Sequence, residues 1–86
     1  MNDLFRAILL VSCPDRPGIV AKLASTVHEM GWNIVQVDQS VDAEHGEFRM
    51  RMVLEGPSEF TKRSDFGDEI TQLAEQEGIE ISLHSQ

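Results

Sequence analysis

Basic residues are scarce in this sequence. Seven Lys and Arg stand against 15 Asp and Glu, for a formal net charge of −8. The few cations are scattered along the chain. Nucleic acid rewards clustered Lys and Arg, as does an anionic membrane surface, so the charge argues against both kinds of partner. Cysteine is almost absent. Cys13 stands alone, which rules out an intrachain disulfide and suits a reducing compartment. Long apolar runs are missing as well. The longest early one, Ala7 to Val11, is far too short for a signal sequence or a membrane span. A cytoplasmic location is the expectation.

With 86 residues, one domain covering 1–86 is expected. A domain of this size buries only a little over ~60% of the surface its unfolded chain exposes, so pairing with another copy or another domain would bury more.

Residues 5–12 read as an interior strand, because Ile8 to Val11 are consecutively apolar. Pro14 cannot donate to a ladder and ends it. Residues 17–30 read as a helix, with Ile19, Val20, Leu23, Ala24, Val27 and Met30 on one stripe. Pro17 suits the first helical position and Gly31 a left-handed helix end. Residues 32–42 and 47–55 read as a strand pair. If Asp42 faces Glu47, Val41 pairs with Phe48, Gln39 with Met50, Val37 with Met52 and Val35 with Leu54. That apolar face should lie under the helices. Ser40 then faces Arg49 and Asp38 faces Arg51 on the other side. Such an exposed Asp38–Arg51 pair is worth at most ~1 kcal/mol. Ile8, Leu10 and Val53 should point to the face that no helix covers, where an apolar patch calls for a partner.

Gly56, Pro57 and Ser58 read as a loop, with Ser58 capping a second helix over 59–77. Its stripe is weak until Ile70, Leu73 and Ala74, and Gly67 weakens it further. Residues 79–84 alternate, with Ile79, Ile81 and Leu83 on one face. The order β-α-β-β-α-β with right-handed crossovers predicts an α+β ferredoxin-like sandwich: a four-stranded antiparallel sheet, order 4-1-3-2, with two helices on one face.

The stretch CPDRPGIVAKL at the first strand-to-helix turn, followed by GWNIVQVDQ, resembles the ACT domain. CPDRPGIVAKLASTVHEMGWNIVQ, the later VD and GEFRMRMVLE are similar to the N-terminal regulatory domain of formyltetrahydrofolate deformylase. That family carries a CPD-x-x-G turn, a NI-x-Q strand and an F-x-MR strand. The resemblance implies a regulatory module attached to a formyl hydrolase that releases formate and tetrahydrofolate, within one-carbon and purine metabolism. The hydrolase's catalytic residues have no counterpart in this chain, so the chain is expected to be non-enzymatic and without a cofactor. The resemblance also implies a ligand, glycine or methionine, held at a subunit interface.

The residues allow such a site. Pro14 and Pro17 stiffen the turn by restricting Cys13 and Arg16. Gly18 leaves the first amide groups of the helix approachable, and these favour a carboxylate. Asp15 can accept from a ligand ammonium, and Asn33 can donate and accept. The expected ligand-binding set is Asp15, Arg16, Gly18, Ile19, Asn33 and Ile34. Serine-binding ACT domains carry Asn where this chain has Asp15 and His where it has Cys13, which disfavours serine. A plainer reading makes Asp15 a complement to the helix dipole and Asn33 a satisfier of loop backbone, with Gly18 letting helix and sheet pack closely.

Other candidates are weaker. Cys13 fits a buried, inert position. His28, His45 and His84 lack ligand spacing, so no metal site is expected. Met30, Met50 and Met52 fit the core. Glu75 and Glu77 read as members of a solvated helix face, and Arg49 and Arg51 as charge balance for Asp38 rather than an anion site. A homodimer is expected, through the open sheet face or the edge of the second strand. Three alternatives stand beside this reading: a pure dimerisation or interaction module, a small acylphosphatase-like enzyme, and an RNA-binding sheet. The second lacks a Gly-rich phosphate cradle. The third lacks paired aromatics on the central strands.

Overall fold

The computed structural model describes residues 4–14 and 18–86. The turn residues Asp15, Arg16 and Pro17 lie outside them. Six elements follow in order: β1 (Leu4–Pro14), α1 (Ile19–Glu29), β2 (Asn33–Asp42), β3 (Glu47–Pro57), α2 (Phe60–Glu77) and β4 (Glu80–Ser85). The strands form one antiparallel sheet in the order β2-β3-β1-β4, the expected 4-1-3-2 order read from the other edge, with both helices on one face.

Side-chain alternation along β1 divides the sheet into two faces. Ala7, Leu9, Val11 and Cys13 are buried beneath the helices. Ile8, Leu10 and Ser12 turn to the open face. β3 matches this division, with Phe48, Met50, Met52 and Leu54 in the core. The helices contribute Ile19, Leu23 and Val27 from α1 and Phe66 and Ile70 from α2.

The hairpin register agrees with expectation from Asp42↔Glu47 through Val37↔Met52, including Asp38↔Arg51. It then departs. A bulge between Ile34 and Gln36 sets Ile34, not Val35, against Leu54. The extra residue reverses the alternation at the start of β2. Ile34 therefore packs against the core, while Val35 is 44% exposed. The apolar face of β2 is also less covered than expected. Val37 and Val41 sit on the helix side but stay 39% and 54% exposed, because β2 is an edge strand that α1 covers only in part. On the open face Val53 is already buried at 4% exposure, so the apolar patch expected there narrows mainly to Leu10. The Asp38–Arg51 contact forms at 3.8 Å between exposed side chains, a loose pair of little energetic weight.

β1 runs on through Cys13 to Pro14, which pairs with Glu47, so the proline is the last residue of the strand and does not stop it at Ser12. Three further boundaries differ. α1 starts at Ile19 with Gly18 as its N-cap, two residues past the expected start. β3 continues through Gly56 to Pro57, pairing with Phe5 and Leu4, where a loop was expected. The N-cap of α2 is Glu59, and no side chain caps it, so Ser58 does not serve.

One cluster explains the second difference. Trp32 stacks on Phe66 with centroids 4.5 Å apart and meets Phe5 edge-on at 6.2 Å. The indole lies flat against Gly56, where an added Cβ would come within 2.1 Å of Trp32 Cδ2. The strand has to pass beneath the ring there, so the position admits no side chain. Arg63 extends over the Phe5 ring, 4.6 Å from its centroid. Trp32 Nε1 and Arg63 Nε are buried in this corner without an acceptor among the described residues, so ring contact rather than polar pairing holds it together. The end of α1 delivers Trp32 there through paired backbone bonds: Gly31 N–H to His28 O and Trp32 N–H to Val27 O, both 3.0 Å. This is a Schellman closure, with Gly31 in the left-handed region as expected.

At the other end of the sheet, Asp42 organises the β2–β3 turn. Its carboxylate accepts the backbone N–H groups of Glu44 and His45 and meets His45 Nδ1 at 2.7 Å. The His45 side chain above all holds the Asp42 carboxyl below its ordinary 3.8. Glu47 accepts from the Ser12 hydroxyl at 2.5 Å. That bond, with help from Arg49, holds Glu47 below its ordinary 4.5.

Two predictions follow from these contacts. Gly56→Ala should destabilise the fold by about 1–3 kcal/mol through overpacking against Trp32. Gly67→Ala, in open space within α2, should instead stabilise it by about 0.5–1 kcal/mol. Urea midpoints of the two variants measure the opposite signs. Asp42 and Glu47 have depressed folded-state pKa values, so their stabilisation is full above the ordinary carboxylate range and disappears as pH falls through the lowered values. Ser12→Ala should move the Glu47 pKa up toward 4.5 in a carboxyl-carbon NMR titration and leave less stability to be lost on acidification.

Candidate functional site

The turn that opens α1 was the leading candidate from sequence. Gly18 caps the helix with φ 85° and ψ −9°, no side chain among the described residues bonds to the cap, and the first turn holds no acidic residue. A Cβ at Gly18 would meet nothing within 4 Å. Glycine is therefore required by the left-handed backbone and not by tight packing of helix on sheet. The helix ladder begins with Lys22 N–H to Gly18 O at 3.1 Å. The amides of Ile19, Val20 and Ala21 precede it and lack intrahelical acceptors. Gly18 is exposed, so these groups stand at an approachable surface. Ile19 itself is buried at 3% and offers the site only its main chain.

Asn33 and Ile34 lie at the far end. Asn33 opens β2 opposite Glu55, which is bound by Arg6 at 2.8 Å. Ile34 faces the core. α1 runs the length of the sheet between Gly18 and this corner, and its eleven residues span about 16 Å. One chain therefore does not bring Gly18 and Asn33 to a common ligand. Three surface concavities stand out, and neither residue lines any of them.

The concavity of about 310 Å³ at the upper end of the sheet is lined by Ser12, Cys13, Pro14, His45, Glu47 and neighbouring residues. It lies where β1 hands over to the turn before α1. The concavity of about 520 Å³ on the open sheet face has Leu10 at its floor, with Arg49, Arg51, Asp38 and Glu80 around it. Its arginines are committed to acids: Arg51 to Asp38, as the sequence suggested, and Arg49 to Glu47 at 3.4 Å, which it did not. The third, about 700 Å³, lies between α2 and β4.

Sequence reasoning did not anticipate several contacts. Asp42, Glu44 and His45 place potential metal-ligand atoms within 4.8 Å of one another, all exposed. The Asp-x-x-His spacing at the hairpin turn was the available signal, and the backbone bonds to Asp42 account for the grouping. Glu77, expected on a solvated face, is half-buried and meets Lys22 Nζ at 2.9 Å, tying α2 to α1. Cys13 is buried as expected, at 4% exposure. Among the described residues no helix is long and apolar enough to cross a membrane.

Comparison with known proteins places this geometry. The ACT domain model matches residues 7–62. A formyltetrahydrofolate deformylase from Synechocystis sp. is 40% identical over 78 residues, 91% of this chain and 28% of that protein. The UPF0237 protein YjhC of Lactococcus lactis is 33% identical over 82 residues, 94% of this chain and 86% of that protein. The crystal structure of a formyltetrahydrofolate deformylase from Pseudomonas syringae superposes with a TM-score of 0.79 at 25% identity, covering 95% of this chain and 27% of that one. The chain thus spans little more than a quarter of the deformylases it matches. It belongs to the ACT domain family and is similar to the ACT regulatory domain of formyltetrahydrofolate deformylase.

Proposed function

We propose that this chain is an amino-acid-sensing, dimerising regulatory module whose ligand sits between two copies. One observation carries the reading. β2 is an edge strand with Val35, Val37 and Val41 at 39–54% exposure, and such an edge is stabilised by pairing. Antiparallel pairing of two β2 edges about a two-fold axis sets the Asn33 end of one copy beside the Asp42 end of the other. α1 packs against β2 and begins at the Asp42 end. The uncapped amides after Gly18 in one copy then approach Asn33 of its partner. The separation within one chain becomes proximity across the seam.

In this arrangement the main chain at Gly18 and Ile19 receives the ligand carboxylate. Asp15 accepts from the ammonium, Arg16 belongs to the same binding set, and Asn33 and the Ile34 backbone bind from the partner copy. Glycine and methionine are the ligands of choice, from the similarity to the deformylase regulatory domain. The module is regulatory and not itself catalytic. It transmits the signal by holding one arrangement of copies or domains more tightly when ligand is bound. Attachment to a formyl hydrolase, and a place in one-carbon metabolism, belong to the same reading.

A second reading, dimerisation without ligand, draws on the similarity to YjhC over most of that short protein's length. Calorimetry separates the two. Heat and a thermal shift with glycine or methionine support sensing, and silence at millimolar ligand leaves only the interaction module. Asn33→Ala should weaken the responsive ligand roughly tenfold, the loss of one hydrogen bond of about 1.4 kcal/mol, without changing oligomeric state. Val37→Lys on the β2 edge should convert dimer to monomer in light scattering and abolish ligand heat. A wild-type chain that stays monomeric at high micromolar concentration would remove the seam on which the site depends.

A further inference from the structure

The open face of the sheet carries a feature separate from the β2 seam. Its concavity of about 520 Å³ has the size of a small-molecule site. Strand pairing settles which side chains share it. Arg51 on β3 is paired with Leu10 on β1, and Leu10 with Ser82 on β4. In the next row Arg49 is paired with Ser12, and Ser12 with Glu80. Residues directly opposite one another point to the same face of a sheet. Two guanidinium groups therefore stand on the β3 side of the concavity and one carboxylate on the β4 side. Leu10, 41% exposed, lies between them.

The charges at the two rims are only partly used. Arg49 donates from Nε to Glu47 at 3.4 Å. Arg51 stands 3.8 Å from Asp38, too far for a hydrogen bond. Among the described residues neither guanidinium makes a further hydrogen bond or ion pair. Each has five N–H donors, so both can receive an anion from solvent without first giving up a strong partner, and exposed pairs of this kind hold little energy. Across the concavity, Glu80 is exposed and has no hydrogen-bond or ion-pair partner among the described residues.

An apolar floor alone would accept any cover, but here the surroundings select one. Val53, the neighbour of Ile8 on this face, is buried at 4% exposure, so the exposed apolar area is little more than Leu10. That is enough for a small molecule and too little for a protein partner. A polyanion would meet Asp38 and Glu80 as well as the arginines. We propose that the open sheet face binds a small ω-amino acid with an apolar body between its two charges. The carboxylate sits on Arg49 and Arg51, the body covers Leu10, and the ammonium meets Glu80. β1 separates β3 from β4, which puts the two rims about 10 Å apart at the backbone. An α-amino acid holds both charges on one carbon and does not reach from rim to rim. The site thus differs in ligand from the β2 seam and does not depend on sensing there.

The test is an NMR titration of the isotope-labelled chain with para-(aminomethyl)benzoate, beside benzoate, benzylamine and glycine. The first probe should give saturable shifts at the Leu10, Arg51 and Ser82 amides. Benzoate and benzylamine, each lacking one charge, should bind roughly tenfold more weakly, and glycine should leave these amides unchanged. Glu80→Gln should lower affinity for the full probe to that for benzoate. The double variant Arg49→Gln, Arg51→Gln should lower it to that for benzylamine. All three are exposed or half-exposed side chains, and the spectrum elsewhere should stay as in the wild type. The proposal is overturned if the full probe gives no saturable shift on this face at millimolar concentration, or if the three aromatic probes bind the wild-type chain alike. Shifts at these amides that appear without probe and grow with protein concentration would overturn it too, by assigning the face to a second copy.

Discussion

The seating of Trp32 on Gly56 is the constraint from which most of the architecture follows. The ring comes from the Schellman closure at the end of α1, lies over the last residues of β3, and stacks on Phe66 in α2. Three segments distant in sequence are fixed by one side chain. The close approach leaves no room for a Cβ, so glycine and tryptophan at these two positions are mutually required. Neutral ring contacts tolerate the two buried donors nearby because dispersion and offset stacking compensate where a polar pair is missing.

The sheet is asymmetric as a result of how the helices sit on it. Over β1 and β3 the core face is sealed, and even Val53 on the far side is buried. At both edges the cover thins. β2 leaves three valines at the surface and β4 leaves Leu83. The edges differ in the chemistry around them. β2 lies beside the uncapped start of α1, which suits a two-fold seam and a carboxylate. β4 lies beside a concavity whose α2 side is formed by Gly67, Thr71 and Ala74, with exposed Asp68, Glu75 and Glu80 around it.

Much of the fold was legible because it rests on periodicity. The helical stripe of α1 and the hairpin register from Asp42↔Glu47 to Val37↔Met52 came from spacing alone, since a one-residue slip would have scattered the apolar set. The Val35 bulge was hidden because the sequence offers Ile34 and Val35 as equal apolar neighbours, and only contact with the core distinguishes them. Phe66 was missed because its window, TKRSDFGD, is polar and holds one large apolar residue. The burial comes from Trp32, far away in the chain. Of the candidate site, Gly18 was recognised as special, but the reason lay in a left-handed dihedral and not in packing.

The sequence by itself determined the element order, the antiparallel sheet and its inward-facing residues, and the motif at the first turn. All of these are local or periodic properties. Tertiary structure alone decided that Gly56 belongs to a strand beneath an indole and that Phe66 is buried against Trp32. Each of those depends on distances between residues far apart in the chain, and such distances exist only once the helices have settled on the sheet.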